Sequence, residues 1–216
     1  SWAREKNEPV LLHVLTEKGR GYPYAQQDPE HFHGTPPFDT ATGKPLRASA
    51  RSFSNVFGDT LLELARQDPR ICAITAAMTS GTGLTEFSKE LPGRFFDVGI
   101  AEGHAVAMAG GMAKQGLIPV FAVYSSFLQR GFDMLIHDIS LDKLHAVFCV
   151  DRAGLVGADG QTHHGCFDPA YLTQIPGMTV LCPASFAELR DMLRYAICQV
   201  SGPVAIRYPR GGERDY

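Results

Sequence analysis

The fold is decided by residues 146–168, the five residues AVFCV followed by DRAGLVGADGQTHHGCFD. The five apolar residues predict a short buried strand. The loop after them holds three acids, one arginine, two adjacent histidines and four glycines, and a helix is predicted to begin near Pro169. In parallel α/β proteins the loop after the carboxyl end of a strand is where ligands bind. This stretch therefore predicts both a parallel sheet and a functional loop.

From Ser52 onward, helical and strand patterns alternate along the chain. Repeated βα units with continuous apolar strands predict an α/β fold, a mostly parallel sheet with helices on both faces. We expect helices at 52–67, 84–91, 102–115, 126–141 and 185–200, and strands at 71–75, 95–98, 118–123, 146–150, 178–182 and 203–207.

Residues 1–50 have a different character. Residues 9–16, PVLLHVLT, predict a buried strand, and residues 17–50 form a Gly-, Pro- and Asp-rich stretch. A loop of that length is uncommon inside a compact domain, and one strand cannot form a domain. The chain also begins without an initiator Met. We expect residues 1–50 to be the end of another domain plus a linker, residues 51–216 to be a second domain, and the whole to be a piece of a longer chain.

Composition excludes several classes of protein. The formal net charge is −3 and no basic stretch stands out, which argues against a nucleic-acid partner. No apolar run approaches the ~20 residues of a membrane span, and the first residues lack the apolar core of a signal peptide. The five cysteines show no CxxC spacing, and Cys72, Cys149 and Cys182 fall in strands predicted to be buried. We expect reduced thiols in a cytoplasmic protein.

Residues with useful chemistry follow the predicted strands. Because the carboxyl ends of parallel strands meet at one edge, we expect these residues to converge on one crevice. Three arginines there suit a phosphorylated substrate, since guanidinium groups bind phosphate oxygens in pairs. The candidates are Glu102, Tyr124, Phe127, Arg130, Arg152, Asp159, His163 and Arg210.

Each candidate has a structural alternative. Glu102 begins a predicted helix, where the helix dipole favours a carboxylate in any protein. The aromatic residues can be core and the arginines solvated. The histidine pairs at 31/33 and 163/164 resemble metal ligands, but no cysteine or carboxylate completes a set, so we expect no metal bound by this chain. The loop 76–83 contains glycines but lacks the lysine of a nucleotide-binding loop.

Several longer segments carry a family resemblance over essentially the whole chain. The most specific are LTEKGRGYPYAQQDPEHFHG (15–34), FDVGIAEGHAV (96–106), YSSFLQRGFDMLIHD (124–138), the loop 151–168 and AIRYPRG (205–211). With them the chain resembles the 1-deoxy-D-xylulose-5-phosphate synthases, thiamine-diphosphate enzymes of the transketolase superfamily. The resemblance implies the end of a first domain, which binds the diphosphate and Mg²⁺ through a GDG…N motif, and all of the pyrimidine-binding domain. That motif is not in this sequence.

The resemblance also implies roles at the cofactor. Glu102 would activate thiamine diphosphate by hydrogen bonding to its pyrimidine ring. Phe127 would stack on that ring, with Tyr124 beside it and the substrate. The family usually has Gln after the glutamate, whereas this chain has Gly103.

At the substrate, the resemblance implies that Arg152 and Arg210 hold the phosphate of glyceraldehyde 3-phosphate, with Tyr124 and Arg130 nearby. Asp159 and His163 would contact the reacting oxygens and assist proton transfer. His33 would reach the site from the first domain.

The implied reaction decarboxylates pyruvate and joins the remaining two carbons to glyceraldehyde 3-phosphate, which supplies isoprenoid, thiamine and pyridoxal synthesis. The family implies a homodimer. We expect the 216 residues alone to be inactive. The alternatives are a catalytically silent module, a split-enzyme subunit that needs a partner, and a transketolase proper, which uses ketose donors without releasing CO₂.

Overall fold

The computed structural model describes residues 2–29, 31–46 and 50–213. It divides into two units, Ser1–Ser49 and Ala50–Tyr216. In its described residues, the first unit has the short helices α1 (Trp2–Glu5) and α2 (Pro23–Gln27) and a 3₁₀ turn, His31–His33. Its rings pack on one another, since the centroid of Phe32 lies 5.5 Å from that of Tyr22 and 5.1 Å from that of Phe38.

The buried strand predicted at residues 9–16 is wrong. These residues have no regular structure and are exposed, with Leu11 at 94% and Leu15 at 84% of full exposure. A strand needs a neighbour whose backbone groups complete its hydrogen-bond ladder. No described segment pairs with these residues. Apolar composition alone therefore did not produce a strand.

The second unit is built on one sheet. Its described strands are β1 (Ile71–Thr75), β2 (Phe95–Asp97), β3 (Ile118–Tyr124), β4 (Val147–Asp151), β5 (Thr179–Leu181) and β6 (Val204–Arg207). They are all parallel to their neighbours, in the order β2-β1-β3-β4-β6-β5. The strand order reverses between β1 and β3, where open α/β sheets bind ligands.

Helices cover both faces of this sheet, which confirms the predicted α/β class. The described helices are α3 (Phe53–Gln67), α4 (Thr85–Glu90), α5 (Glu102–Lys114), α6 (Ser125–Leu128), α7 (Phe132–Met134), α8 (Asp168–Leu172) and α9 (Phe186–Cys198). Val120 and Ala122 of β3 pack in the core cluster that contains α3 and α9, while Phe121 and Val123 pack in the cluster that contains α5. Burial on both faces explains why the central strands are continuous apolar runs.

The single helix predicted at 126–141 is divided in the structure. After α6 the chain tightens into a 3₁₀ turn, Gln129–Gly131, and after α7 it widens into a π-helix, Leu135–Ser140. Two glycines let this segment approach α5 closely. A Cβ at Gly131 would lie 2.8 Å from Val106 Cγ2, and one at Gly110 would lie 2.8 Å from the Asp138 carbonyl oxygen. The winding follows this packing rather than local helix preference.

Three smaller findings complete the fold. Cys72 and Cys149 are buried as expected, but Cys182 is exposed, because it follows the outermost strand of the sheet. The prediction of a buried Cys182 is therefore wrong. None of the helices in the described ranges is both long enough and apolar enough to cross a membrane.

Candidate active site

The candidate site lies at the carboxyl edge of the sheet, beside the point where the strand order reverses. Tyr124 ends β3 and is in register with Asp151, which ends β4. Both residues are buried, with Tyr124 at 7% and Asp151 at 0% exposure. The chain leaves the sheet immediately after each of them, so the following residues line the same edge.

Glu102 is placed by a tight turn after β2. The carboxylate of Asp97 accepts from the backbone N–H of Gly99 at 2.9 Å, and Gly99 has a left-handed φ of 70°. Glu102 then begins α5 with its side chain only 4% exposed. Its Oε1 accepts a hydrogen bond from Arg130 Nη1 at 3.0 Å, while the Arg130 side chain is 59% exposed. The carboxylate is therefore fixed, whereas its arginine is largely in solvent.

Gly103, where the family resemblance leads us to expect Gln, lies against α7. A Cβ at this position would be 3.0 Å from Met134 Cε and 3.4 Å from the Arg130 carbonyl oxygen. A glutamine side chain would have to share this space with Met134.

Two stacked aromatic rings lie between Arg130, which pairs with Glu102, and Arg152. The rings of Tyr124 and Phe127 stack with centroids 5.6 Å apart and an interplanar angle of 19°. The His163 ring lies edge-on to both, 5.4 Å from Phe127 and 6.5 Å from Tyr124. Burial raises the pKa of Tyr124 to about 12, although the nearby Arg152 opposes the shift. The Tyr124 hydroxyl is therefore a hydrogen-bond donor throughout the neutral range.

Arg152 is held more tightly than any sequence pattern suggested. Its backbone is left-handed, with φ 58°. Its Nη1 donates to Asp151 Oδ2 at 2.8 Å, to Ser54 Oγ at 3.2 Å and to the Gly81 carbonyl oxygen at 3.0 Å. Its guanidinium carbon lies 4.0 Å from the centre of the Tyr124 ring, and the side chain is 13% exposed.

Asp151 is the buried group that anchors this arginine. Ser54 Oγ also donates to Asp151 Oδ2, at 2.7 Å. Burial raises the pKa of the Asp151 carboxyl, and the Arg152 charge and these hydrogen bonds oppose that rise. The buried carboxylate is therefore paired, as burial of a charge requires.

The loop after Arg152 is closed at its base. Gly154 and Gly165 exchange two backbone hydrogen bonds, of 2.7 and 2.8 Å. Beyond them, the buried carboxylate of Asp168 accepts from Ser125 Oγ at 2.9 Å and from Arg207 Nε at 2.6 Å. These bonds fix the ends of the loop that carries Asp159 and His163.

Asp159 lies between two of the predicted phosphate ligands. Its Oδ2 is 3.0 Å from Arg210 Nε and 3.6 Å from Arg152 Nε. Both Asp159 Oδ2 and Arg152 Nε are buried without a hydrogen bond in the described structure, so the close Arg210 contact is an ion pair rather than an aligned hydrogen bond. Buried polar atoms normally have hydrogen-bond partners. Two arginines thus define one position for an anionic oxygen.

Eight of the predicted site residues form one chain of contacts, from Glu102 through Arg130, Phe127, Tyr124 and Arg152 to Asp159 and Arg210, with His163 against the aromatic pair. Arg130 contacts Glu102 and Phe127, whereas Arg152 and Arg210 both lie against Asp159. His33 is an exposed residue of the first unit. The roles of all nine stay predictions.

Sequence reasoning missed three residues that hold this site together: Ser54, Gly81 and Asp151. Asp151 had a signal, since it directly follows the strand predicted at 146–150. Ser54 and Gly81 had none, because their partners are distant in sequence and only the folded sheet brings them close.

Comparison with known proteins relates most of this chain to one family. Residues 49–214 match the family of the transketolase pyrimidine binding domain. The 1-deoxy-D-xylulose-5-phosphate synthase of Clostridium kluyveri is 56% identical over 214 residues, which are 99% of this chain and 34% of that protein. The synthase of Syntrophomonas wolfei is 57% identical over 203 residues, 94% of this chain and 32% of that protein. The chain thus spans about a third of the length of these relatives.

Solved structures of similar fold come from transketolases. An inactive β4 tetramer of a split-gene transketolase is 30% identical with a TM-score of 0.68, over 77% of this chain and 54% of that one. Transketolase from Leishmania mexicana is 18% identical with a TM-score of 0.69, over 79% of this chain and 27% of that one, and shows the fold alone. Since the family match covers most of the sequence, this chain belongs to the transketolase pyrimidine-binding domain family.

Proposed function

We propose that this chain is the pyrimidine-binding portion of a 1-deoxy-D-xylulose-5-phosphate synthase. In the complete enzyme, pyruvate loses CO₂ and its remaining two-carbon unit joins the aldehyde carbon of glyceraldehyde 3-phosphate. The product supplies isoprenoid, thiamine and pyridoxal synthesis, and we place the enzyme in the cytoplasm. The synthases of similar sequence support this reaction.

The observation that carries the proposal is the convergence of Arg152 and Arg210 on one carboxylate oxygen of Asp159. An oxygen of a substrate phosphate has the same charge and can take the same position. Guanidinium groups bind such oxygens with strong, charge-assisted hydrogen bonds. The phosphate of glyceraldehyde 3-phosphate would then displace Asp159, which we propose moves, together with His163, to the reacting oxygens.

The residues at the other end fit the pyrimidine of thiamine diphosphate. A buried carboxylate, Glu102, can accept a hydrogen bond from a ring nitrogen, and the adjacent Phe127 offers an aromatic surface for stacking. When bound, the cofactor supplies the carbon nucleophile that the decarboxylation of a 2-oxo acid requires. We propose that the diphosphate and Mg²⁺ are held by a first domain. Residues 1–50, which include His33, would be the end of that domain and the linker after it.

We further propose that the complete enzyme is a homodimer. The outer face of α5 carries a shallow, mostly apolar depression of about 550 Å³, lined by His104, Ala107, Met108, Gly111 and Met112. A second copy of the domain would cover it. Light scattering of the complete enzyme tests this proposal, and a monomer at micromolar concentration would contradict it.

The test of function is turnover by the complete enzyme. We expect release of one CO₂ for each 1-deoxy-D-xylulose 5-phosphate formed from pyruvate and glyceraldehyde 3-phosphate. Two-carbon transfer from ketose phosphates without CO₂ would show a transketolase instead.

A second candidate is a subunit of a split enzyme, which the inactive split-gene transketolase tetramer favours. In both cases we expect the 216 residues alone to be inactive, because the resemblance assigns the diphosphate ligands to another domain. Adding the first domain as a separate polypeptide distinguishes the two. Restored turnover would support the split enzyme, whereas turnover by the 216 residues alone would contradict both.

A further inference from the structure

The loop between β1 and α4, residues 76–83, is a rigid element at the point where the strand order reverses. The backbone N–H and the hydroxyl of Thr82 donate to the Met78 carbonyl oxygen at 2.9 and 2.8 Å. The N–H of Leu84 donates to the Thr79 carbonyl oxygen at 2.9 Å. These bonds close the loop on itself, so contacts within the loop hold its shape.

The same loop is fastened to the elements on either side. Asp97, at the end of β2, accepts from the N–H of Ala77 at 2.8 Å and from Thr79 Oγ1 at 3.2 Å. On the other side, Gly83 presses on α3, where an added Cβ would lie 2.1 Å from the Ser54 carbonyl oxygen. The loop can therefore hold the side chains that contact it in fixed positions.

Gly81 is where the loop meets the candidate site. An added Cβ at Gly81 would lie 2.4 Å from Tyr124 Oη and 3.2 Å from Met78 Cε. Its carbonyl oxygen accepts from Arg152 Nη1 at 3.0 Å. Gly81 is not among the glycines with a left-handed φ, so backbone conformation does not require a glycine here. Close approach to the Tyr124 hydroxyl does.

We propose that Gly81 is a positioning residue that determines specificity for a phosphorylated aldehyde, by seating the Tyr124 hydroxyl and the Arg152 guanidinium at the phosphate end of the site. The inference rests on the proposed function and deepens it. Gly81 acts in two ways, since its lack of a side chain makes room for Tyr124 and its carbonyl oxygen takes one of the Arg152 donors. Tyr124 and Arg152 then support each other through the 4.0 Å contact of guanidinium and ring.

The test is Gly81→Ala in the complete enzyme. The new methyl group displaces the Tyr124 hydroxyl and, through the ring, Arg152. We expect the KM for glyceraldehyde 3-phosphate to rise about tenfold, the effect of one lost charge-assisted hydrogen bond. The KM for pyruvate and kcat/KM for unphosphorylated glyceraldehyde should stay within about twofold. The preference for the phosphorylated aldehyde therefore falls, whereas general damage to the fold would lower both activities.

Two further variants make the result decisive. Gly93→Ala is the matched control, because an added Cβ there meets nothing within 4 Å and the φ of Gly93 is not left-handed. The double variant Gly81→Ala/Tyr124→Phe removes the hydroxyl that the methyl group meets. Relative to Tyr124→Phe alone, Gly81→Ala should then raise the KM for the phosphorylated aldehyde less than about threefold. The double variant also serves if Gly81→Ala alone fails to fold.

An equal effect of Gly81→Ala in both backgrounds, or an unchanged preference for the phosphorylated aldehyde, would overturn the inference. Failure of the proposed function is separate, since the wild-type enzyme would then not convert pyruvate and glyceraldehyde 3-phosphate. In that case the Kd for inorganic phosphate, measured by calorimetry, replaces the KM. Gly81→Ala should weaken phosphate binding about tenfold and Gly93→Ala should not, and equal affinities would again reject the role of Gly81.

Discussion

The two ends of the candidate site pair a carboxylate with an arginine in opposite ways. At one end, Glu102 is buried at 4% exposure and its partner Arg130 is 59% exposed. At the other, Arg152 is 13% exposed and its partner Asp159 is 22% exposed. The buried member is anchored in each pair, Glu102 at the start of α5 and Arg152 on Asp151.

This difference indicates which ligand group each end accepts. A fixed carboxylate whose arginine can move into solvent is suited to a hydrogen-bond donor such as a ring N–H. A fixed arginine whose carboxylate sits on a loop is suited to an anion that replaces that carboxylate. On this basis we propose that the Glu102 end takes the cofactor and the Arg152 end takes the phosphate.

The largest effect is expected at the fixed carboxylate. Glu102→Gln in the complete enzyme keeps the shape but removes the charge, and turnover should fall about 10³-fold, within the usual range for loss of an acid–base group. Exchange of the cofactor C2 proton, followed by NMR, should slow in parallel. Glu90→Gln is the control, because Glu90 pairs with Arg66 on the surface. Normal exchange in the Glu102 variant would assign this end to something other than cofactor activation.

The second prediction concerns stability. Arg152→Ala leaves the buried Asp151 without its cation, so the free energy of unfolding should fall by about 3 kcal/mol. Arg130→Ala also removes the cation of a buried carboxylate, but Arg130 is solvated and the helix dipole at the start of α5 still favours the Glu102 charge, so the loss should be smaller, about 1 kcal/mol. Urea denaturation of both variants measures the difference. Equal losses would remove the distinction between a fixed and a movable arginine.

Arg210→Ala tests the phosphate end without this damage, since Arg210 is 42% exposed. The KM for glyceraldehyde 3-phosphate should rise about tenfold because one charge-assisted contact is lost. The KM for pyruvate should not change, and Arg194→Ala, on a surface ion pair with Glu63, provides the comparison. An unchanged KM for the aldehyde would reject the phosphate assignment.

The smallest effect is expected at Arg130. Because Arg130 contacts Glu102 and Phe127, Arg130→Met should change the KM for glyceraldehyde 3-phosphate less than about twofold. Steady-state kinetics with the aldehyde varied measures it. An increase as large as that of Arg210→Ala would place Arg130 with the phosphate ligands and remove the difference between the two ends of the site.

Many of the strands were predictable because each one is a continuous apolar run in the sequence. The strand prediction at 71–75 is confirmed to the residue, and that at 118–123 to within one residue, since strands buried on both faces are continuous apolar runs. The same reasoning failed for residues 9–16, where an apolar run has no pairing strand in the described structure. It also failed for 126–141, where close packing at Gly131 divides one predicted helix.

The site divides in a similar way. Residues that follow strands, such as Glu102, Tyr124 and Arg152, could be selected because parallel strands end at one edge. The pairings among them could not be predicted, since nothing in the sequence shows that Arg130 pairs with Glu102 and Arg152 with Asp151. Ser54 and Gly81 were invisible for the same reason, because the sheet and α3 bring them to Arg152 from positions 98 and 71 residues away.

The Ser54–Asp151 hydrogen bond joins residues 97 positions apart, and the Asp168–Arg207 ion pair spans another 39. Contacts so distant in sequence carry a loop-closure cost in chain entropy, and they form only where the elements that carry them have packed together. A domain in which α3 is not packed on the sheet therefore also lacks the Ser54 contacts to Asp151 and Arg152. The phosphate proposed to bind at Arg152 would bind only the finished arrangement and so stabilise it against unfolding. The proposed substrate would thereby report complete folding and selectively stabilise the mature domain.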